Sequence, residues 1–435
     1  ERIDFLHHFR HTCGSRMGSF QMGFPQPKST IQMEDFPLNK RTEIRLPTVI
    51  PKLNGGIMLR SILHLPFKAA QFWTSRTLGR PRVLPINVTV SVTNLCNSRC
   101  RTCFIWKLYP TNNDLKDSEC SSEEFGRIFE SLGKSPYWLT MSGGEPFLRS
   151  DLPEICRTAI ECCEPGILNI PTNGLLPEKI EADVRHILEG IRDTHLIINL
   201  SLDGVGTKHD QIRGVSGNFN TVIETYRLLA ALKEDCQNLT VGIHTVVSKF
   251  NLESFLETYE FVKDLNPDSY IAEVAEERAE LFNLGSSVFS DPSSCAAIME
   301  ELRRLAKMDY LSAKRGISKV TQAFRVVYYR IAAQVLLERR QVIPCYGGYA
   351  SCQISPYGDV WPCCVHGHYM SMGNLRQFDY NFSKVWNSKK ADQIRAFIRE
   401  GRCACPLASA HYTSMMCSPR AIAEVLANLI KSQAS

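Results

Sequence analysis

The chain has 435 residues, 44% of them hydrophobic, and a formal net charge of +5. That length and apolar content allow at least one large core and two or three domains, and the mild, dispersed positive charge sets aside nucleic acid or another polyanion as the main partner. Seventeen cysteines, an odd number clustered at ligand-like spacings, fit metal binding in a reducing compartment better than a secreted disulfide framework.

No apolar run approaches the ~20 residues of a membrane span, and ERIDFLHHFRHTCGSR at the start lacks a signal-peptide core, so the expected location is cytoplasmic. Residues 1–45 carry no readable pattern. Residues 56–78 (GIMLRSILHLPFKAAQFWTSRTL) mix apolar and basic residues at helical spacing. They predict a helix packed on the catalytic domain and broken at Pro66, with an interfacial membrane helix as the other reading.

From about residue 83 apolar runs (INVTVSV, YWLTMS, ILNIPT, LIINLSLD, LTVGIHTVV, SYIAEVA) alternate with amphipathic segments such as SSEEFGRIFESL and NTVIETYRLLAALKED. Six strand–helix repeats predict parallel strands closing into a partial (β/α)6 barrel, with functional loops at the C-terminal strand ends. Each motif falls at such an end: the cysteine loop after the first run, SGGEP after the second, TNG after the third and SLDG after the fourth. Residues 292–340 read as connecting helices, and from Cys345 the texture turns cysteine-rich with Gly and Pro punctuation. The expected division is 1–80 extension, 81–290 core, 291–342 helical connector and 343–435 small cysteine-rich domain.

Cys96, Cys100 and Cys103 give C-x3-C-x2-C in one loop, three soft ligands without a fourth. Four thiolates would close a structural site, whereas three around a [4Fe-4S] cube leave one iron open to a substrate or cofactor. With Gly143-Gly144-Glu145-Pro146 after the second strand, the pattern over about residues 83–275 resembles the radical S-adenosylmethionine (SAM) enzymes. The resemblance implies that the open iron chelates SAM and that the reduced cluster cleaves it to a 5'-deoxyadenosyl radical, with electrons from a reducing partner such as flavodoxin or ferredoxin. It further implies SAM contacts from Gly143, Gly144, Glu145 and Pro146, the glycines letting backbone approach a ligand closely. Glu145 has a helix cap as its plainer reading. Asn173 (in Thr172-Asn173-Gly174) has an ordinary turn as its alternative, and Ser201 stands near the SAM ribose with Asp203 shaping the turn. His209, Asp210 and Arg213 read either as ligand contacts or as a surface ion-pair cluster. Many members carry an aromatic residue just before the third cysteine, near the adenine; here Thr102 stands there, and Phe104 and Trp106 follow, which makes Phe104 the candidate.

The C-terminal cysteines resemble a SPASM or twitch domain, which carries auxiliary [4Fe-4S] clusters. With only C-x-C at 403 and 405 and then Cys417, one auxiliary cluster is expected, held by Cys345 and Cys363 on one side and Cys403 and Cys405 on the other, with Cys352 and Cys417 as substitutes. A zinc site on the same thiolates is the alternative. Cys364, next to Cys363 in an extended segment, points the opposite way. The remaining cysteines read as core residues or surface thiols. In IAEVAEERAEL, Glu273 and Glu276 are candidates to take a proton from a substrate radical; the other reading is a solvated helix start. The expected function is oxidation or rearrangement of a small polar metabolite, beside two rivals: maturation of a ribosomal peptide or protein, and a non-catalytic metal-binding scaffold.

Overall fold

Strand formation follows the alternation in the sequence. In Ile167–Thr172 and His195–Ser201 every second side chain is fully buried, and the intervening ones are half-buried. The buried set (Leu139, Met141, Leu168, Ile170, Leu196, Ile198, Leu200, Val241, Ile243) forms the main apolar core with the crossing helices. The other face is polar: Asn199 donates to Asn169 at 2.7 Å and Asn169 donates to Thr140 at 3.3 Å, a ladder across three strands. A sheet apolar outside and polar inside is the wall of a ligand-holding barrel.

The computed structural model describes residues 57–79, 82–311 and 316–431; residues 1–56, and any expectation placed on them, lie outside. The strands are β1 (Asn87–Thr93), β2 (Trp138–Gly143), β3 (Ile167–Thr172), β4 (His195–Ser201), β5 (Leu239–Val247), β6 (Ser269–Val274), β7 (Ser351–Ile354), β8 (Asp359–Trp361) and β9 (Gly373–Asn374). They form one sheet in the order β6-β5-β4-β3-β2-β1-β7-β8-β9. The first six are parallel neighbours in chain order, as a partial (β/α)6 barrel requires. The C-terminal segment does not stand apart: β7 pairs in parallel along the other side of β1, Asn87 opposite Ser351, before β8 and β9 turn antiparallel. All described residues belong to one compact unit.

The helices end where the sequence punctuates them. Ser121 and Glu124 form a reciprocal capping box for Ser122–Leu132, and Gly133 ends it at φ 53°. The helix Ile57–Leu78 runs through Pro66 without the expected break. Its second half is anchored on the C-terminal part of the fold as well as on the strand leading into the barrel. Phe72 is buried with Ile86, Tyr346, Tyr349 and Cys417, and Arg76 donates to the Cys345 carbonyl at 3.0 Å. Trp73 is exposed. No helix among the described residues is long and apolar enough to cross a membrane.

Gly143 and Gly144 are needed for close main-chain contact. A Cβ at Gly143 would lie 2.0 Å from the Thr93 carbonyl oxygen, and one at Gly144 would lie 2.3 Å from that of Leu95. The Gly144 and Glu145 amides donate to those same oxygens at 2.8 Å each, stitching the end of β2 to the start of the cysteine loop. Gly144→Ala should therefore lower the melting temperature and the iron bound after reconstitution. Gly126→Ala lies inside the helix Ser122–Leu132, where a Cβ meets only Thr158 at 3.5 Å; it should stabilise by roughly 0.5–1 kcal/mol. Equal melting temperatures for the two variants would refute the close-approach account.

Candidate active site and metal centres

The cysteine loop is pinned by main-chain bonds. Arg99 and Arg101 amides donate to the Arg213 and Ile212 carbonyls at 3.0 and 2.9 Å, and the Phe104 amide donates to Leu281 at 2.9 Å. Asn283, fully buried, donates to the Thr102 carbonyl at 2.8 Å. At the loop's entrance Glu119 accepts from Thr93 Oγ1 at 2.9 Å, from the Asn94 amide at 2.6 Å and from the Tyr109 hydroxyl. Tyr357, at the turn between β7 and β8, closes that network 3.2 Å from Tyr109 Oη and from Asn94 Nδ2. Neither Glu119, Asn283 nor Tyr357 belongs to a motif, and no spacing in the sequence marks them.

Cys96, Cys100 and Cys103 face one another closely enough for each to act on another's charge. Burial, with the neighbouring thiols adding to it, pushes Cys96 up to about 12 and raises Cys103 further. Thiols crowded and buried in this way are a poor arrangement for a bare protein and a suitable one for a cationic cluster that binds them as thiolates. Ser98 Oγ inside the loop and Trp106 Nε1 just after it are buried without partners.

The motifs at the next strand ends meet this loop. Glu145 is buried; its carboxylate accepts from Thr172 Oγ1 (2.8 Å), the Asn173 amide (2.7 Å) and the Phe147 amide (3.2 Å). It thus caps the short helix Pro146–Leu148 and also ties the β2 and β3 loops together. Burial raises it to about 7 against those bonds. Asn173 donates to Asn97 at 2.7 Å and sits 3.9 Å from Cys96 Sγ. Ser201 ends β4 half-buried, opposite His244. Phe104 is half-buried with the Lys107 ammonium 4.3 Å from its ring centre.

HDQIRG is not a surface ion-pair cluster. His209 is fully buried, its Nδ1 accepting from the Asp203 amide at 3.1 Å, and burial drops it to about 4. Asp210 caps the helix Asn218–Leu232 through the Gly217 and Phe219 amides. Arg213 pairs with buried Asp203 at 2.8 Å and reaches to 3.7 Å from Cys100 Sγ. Burial works against its charge, but Asp203 and Cys100 keep it protonated.

Cys345, Cys363, Cys403 and Cys405 form the second group. Cys363 senses the charge of Cys345 and Cys403, and Cys405 that of Cys345 and Cys363; burial pushes Cys363 and Cys403 up to about 12 and raises the other two. Gln341 joins the set from outside the motif, donating to the Cys403 carbonyl at 3.1 Å and accepting from the Cys345 amide at 3.2 Å. Cys352 and Cys417 are not substitutes for this set. Cys352 lies in β7 inside the main apolar core, and Cys417 packs with Phe72 and Tyr346. Every described cysteine is a free thiol. Among the described residues no three His, Cys, Asp or Glu side chains converge on a single metal-ion position.

Between the two groups lies the carboxylate run, which is a buried turn after β6 and not a solvated helix start. Glu273 pairs with Arg278 at 3.3 Å and with His244 at 3.5 Å, and accepts from the Ala408 amide at 3.2 Å. Burial alone would raise its carboxyl, but Arg278 and His244 hold it at about 2. Glu276 is half-buried, with its Oε2 buried and unpartnered, and desolvation lifts it to about 8 despite Arg278. Cys364 turns away from the second thiol group, its Sγ 3.9 Å from Arg278 Nη1. Glu280 and Gln353 complete the wall, Gln353 also donating to Ser91 Oγ at 2.9 Å.

Anaerobically reconstituted protein should hold about eight irons per chain, as two four-iron cubes. Cys403→Ala with Cys405→Ala should hold about four, and Cys352→Ala or Cys417→Ala should keep all eight. Iron loss in either single variant would overturn the assignment.

Comparison with known proteins agrees with this arrangement. Residues 90–262 match the model of the radical SAM superfamily, and residues 345–406 match that of an iron-sulfur cluster-binding domain, SPASM. The antilisterial bacteriocin subtilosin biosynthesis protein AlbA of Bacillus subtilis (strain 168) is 22% identical over 76% of this chain, which spans 65% of AlbA's length. An AdoMet-dependent heme synthase of Methanosarcina barkeri is 26% identical over 71% of this chain and 82% of its own. In structure, anSMEcpe with bound AdoMet superposes with a TM-score of 0.52 at 16% identity, covering 80% of this chain and 98% of that one. Residues 90–262 are thus a radical SAM domain and residues 345–406 a SPASM iron-sulfur domain, and SAM and [4Fe-4S] are the cofactors to which they point.

Proposed function

We propose that this enzyme oxidises a carbon–hydrogen bond of a small polar substrate at the barrel mouth, with Glu276 accepting the proton. In this reading Cys96, Cys100 and Cys103 hold the SAM cluster, the Gly143–Pro146 segment with Asn173 and Ser201 borders SAM, and Cys345, Cys363, Cys403 and Cys405 hold one auxiliary cluster. When bound, these groups supply a 5'-deoxyadenosyl radical that takes hydrogen and a carrier for the electron left behind.

What falls to the chain is the proton and the shelter. Glu276 carries the reading: a carboxyl with a buried, unpartnered oxygen, held near 8 and close enough to Cys405 to act on its charge, is poised to exchange a proton near neutral pH. Glu273 is committed to Arg278 and His244, so its part is to fix the Arg278 guanidinium, and the wall around it, in place. The mouth is roofed by the C-terminal domain: the Ala279 amide donates to the Val365 carbonyl at 3.0 Å, and Gly367 packs so closely that a Cβ there would lie 3.0 Å from the Glu280 amide. A roofed site keeps water from the reacting centre.

A second reading, a peptide substrate, draws support from AlbA, whose name gives bacteriocin biosynthesis. A short precursor peptide retained by the immobilised chain, and raising its rate of SAM cleavage, would favour it.

Reconstituted enzyme given dithionite and SAM should release 5'-deoxyadenosine, and Cys100→Ala should not; an intact cluster without that product would sink the proposal. Glu276 also leaves a mark on stability. Its folded value of about 8 stands above its ordinary 4.5, so the folded state holds the proton more tightly and loses stability as pH rises through that window. Glu276→Gln should flatten the fall in melting temperature across the window. An unchanged slope would place the carboxyl in contact with water and remove it as the proton acceptor.

A further inference from the structure

We propose that Arg99, Arg101 and Lys249 form the docking face for an acidic electron-transfer protein that reloads the SAM cluster. The inference rests on the reading that Cys100 is a cluster ligand. Along the loop, exposure alternates: Asn97, Arg99 and Arg101 face solvent, and Ser98 and Cys100 face inward. Both exposed arginines therefore flank the residue whose side chain is buried. The segment does not drift, because the Arg99 and Arg101 amides are bonded to the end of the helix Thr207–Arg213. On the same side the Arg101 guanidinium lies 3.9 Å from the Phe250 ring centre and the Lys249 ammonium 5.2 Å from it. An aromatic ring is thereby bracketed by two cations.

What makes this face distinctive is its missing counter-charge. Nearby Lys208 is held by Glu257 at 3.3 Å; among the described residues no carboxylate pairs with Arg99, Arg101 or Lys249. Three unneutralised cations, two of them at a part-buried ring, suit a partner that brings carboxylates to surround a redox group. Such charge complementarity raises association rates by about tenfold to a thousandfold and is screened by salt. The chemistry is a bare electron transfer: the reduced donor loses one electron, the cluster gains it, and no bond is made or broken. The Cys100 loop is the thin wall between that face and the thiol group.

The test uses the full reconstituted chain and a reduced flavodoxin, an acidic flavin protein, as the probe. Arg99→Glu with Arg101→Glu, and separately Lys249→Glu, should weaken flavodoxin binding in calorimetry by roughly tenfold or more. The flavodoxin concentration for half-maximal SAM cleavage should rise by a like factor in Lys249→Glu, which lies outside the cysteine loop and whose dithionite-driven cleavage stays at the wild-type rate. Lysine at 99 and 101 should preserve binding, and added salt should weaken it in the wild type. Unchanged flavodoxin binding in both charge-reversed variants would overturn the proposal, as would wild-type binding to anionic lipid vesicles in place of flavodoxin. Absence of dithionite-driven cleavage in the wild type would instead count against the cluster reading, because the binding measurement reports on the docking face independently.

Discussion

A loop that offers three thiols to one cluster has to be stiff before the cluster arrives, since four irons held by only three protein ligands leave little to correct a misplaced one. Here that stiffness comes from main-chain hydrogen bonds. The end of β2 is stitched to the loop's first residues through Gly144 and Glu145, and the helix carrying HDQIRG grips its middle through Arg99 and Arg101. The turn after β6 holds its far end through Leu281 and Asn283. Each contact comes from the C-terminal end of a different parallel strand or from the segment just after it. The polar inner face, the Glu145 bridge and the buried Arg213–Asp203 pair all depend on that convergence.

The same geometry sets the electrostatics between the two thiol groups. The barrel mouth is buried yet crowded with ionisable groups, and only one arrangement of charges is inexpensive there. Arg278 and His244 stabilise one carboxylate, Glu273, and its neighbour Glu276 is left with a raised affinity for a proton, which it can take up or release near neutral pH. A pair of acidic residues alike in sequence is thus divided into a fixed anion and a poised acid by what surrounds each one.

Much of this was legible in the sequence. The six apolar runs became six parallel strands in chain order because alternation and Gly/Pro punctuation report strand burial directly. The cysteine spacings singled out the triplet and the later four. The solvated readings of two segments went astray for one reason, that a linear pattern does not say what covers it. HDQIRG and IAEVAEERAEL look solvated, yet one is buried under the cysteine loop and the other is roofed by Val365 and Gly367. The close approach of Gly143 and Gly144 to the Thr93 and Leu95 carbonyls is likewise a contact that no linear pattern announces. Glu119, Gln341 and Tyr357 left no trace at all, because each acts by a side chain reaching a segment far away in the chain. The positive charges near Cys100 were likewise averaged away by a modest net charge.

The strand β1 has a consequence for how the molecule is made. It lies between β2 and β7, and the Gln353–Ser91 contact across the latter pairing joins residues 262 apart. During synthesis β1 must therefore wait, one side unpaired, until nearly the whole catalytic core has been translated. An open parallel strand of Val and Thr is a template for other chains. The small C-terminal domain thus acts as the closing piece of the larger one, and the barrel becomes safe from self-association only once that domain has folded onto it.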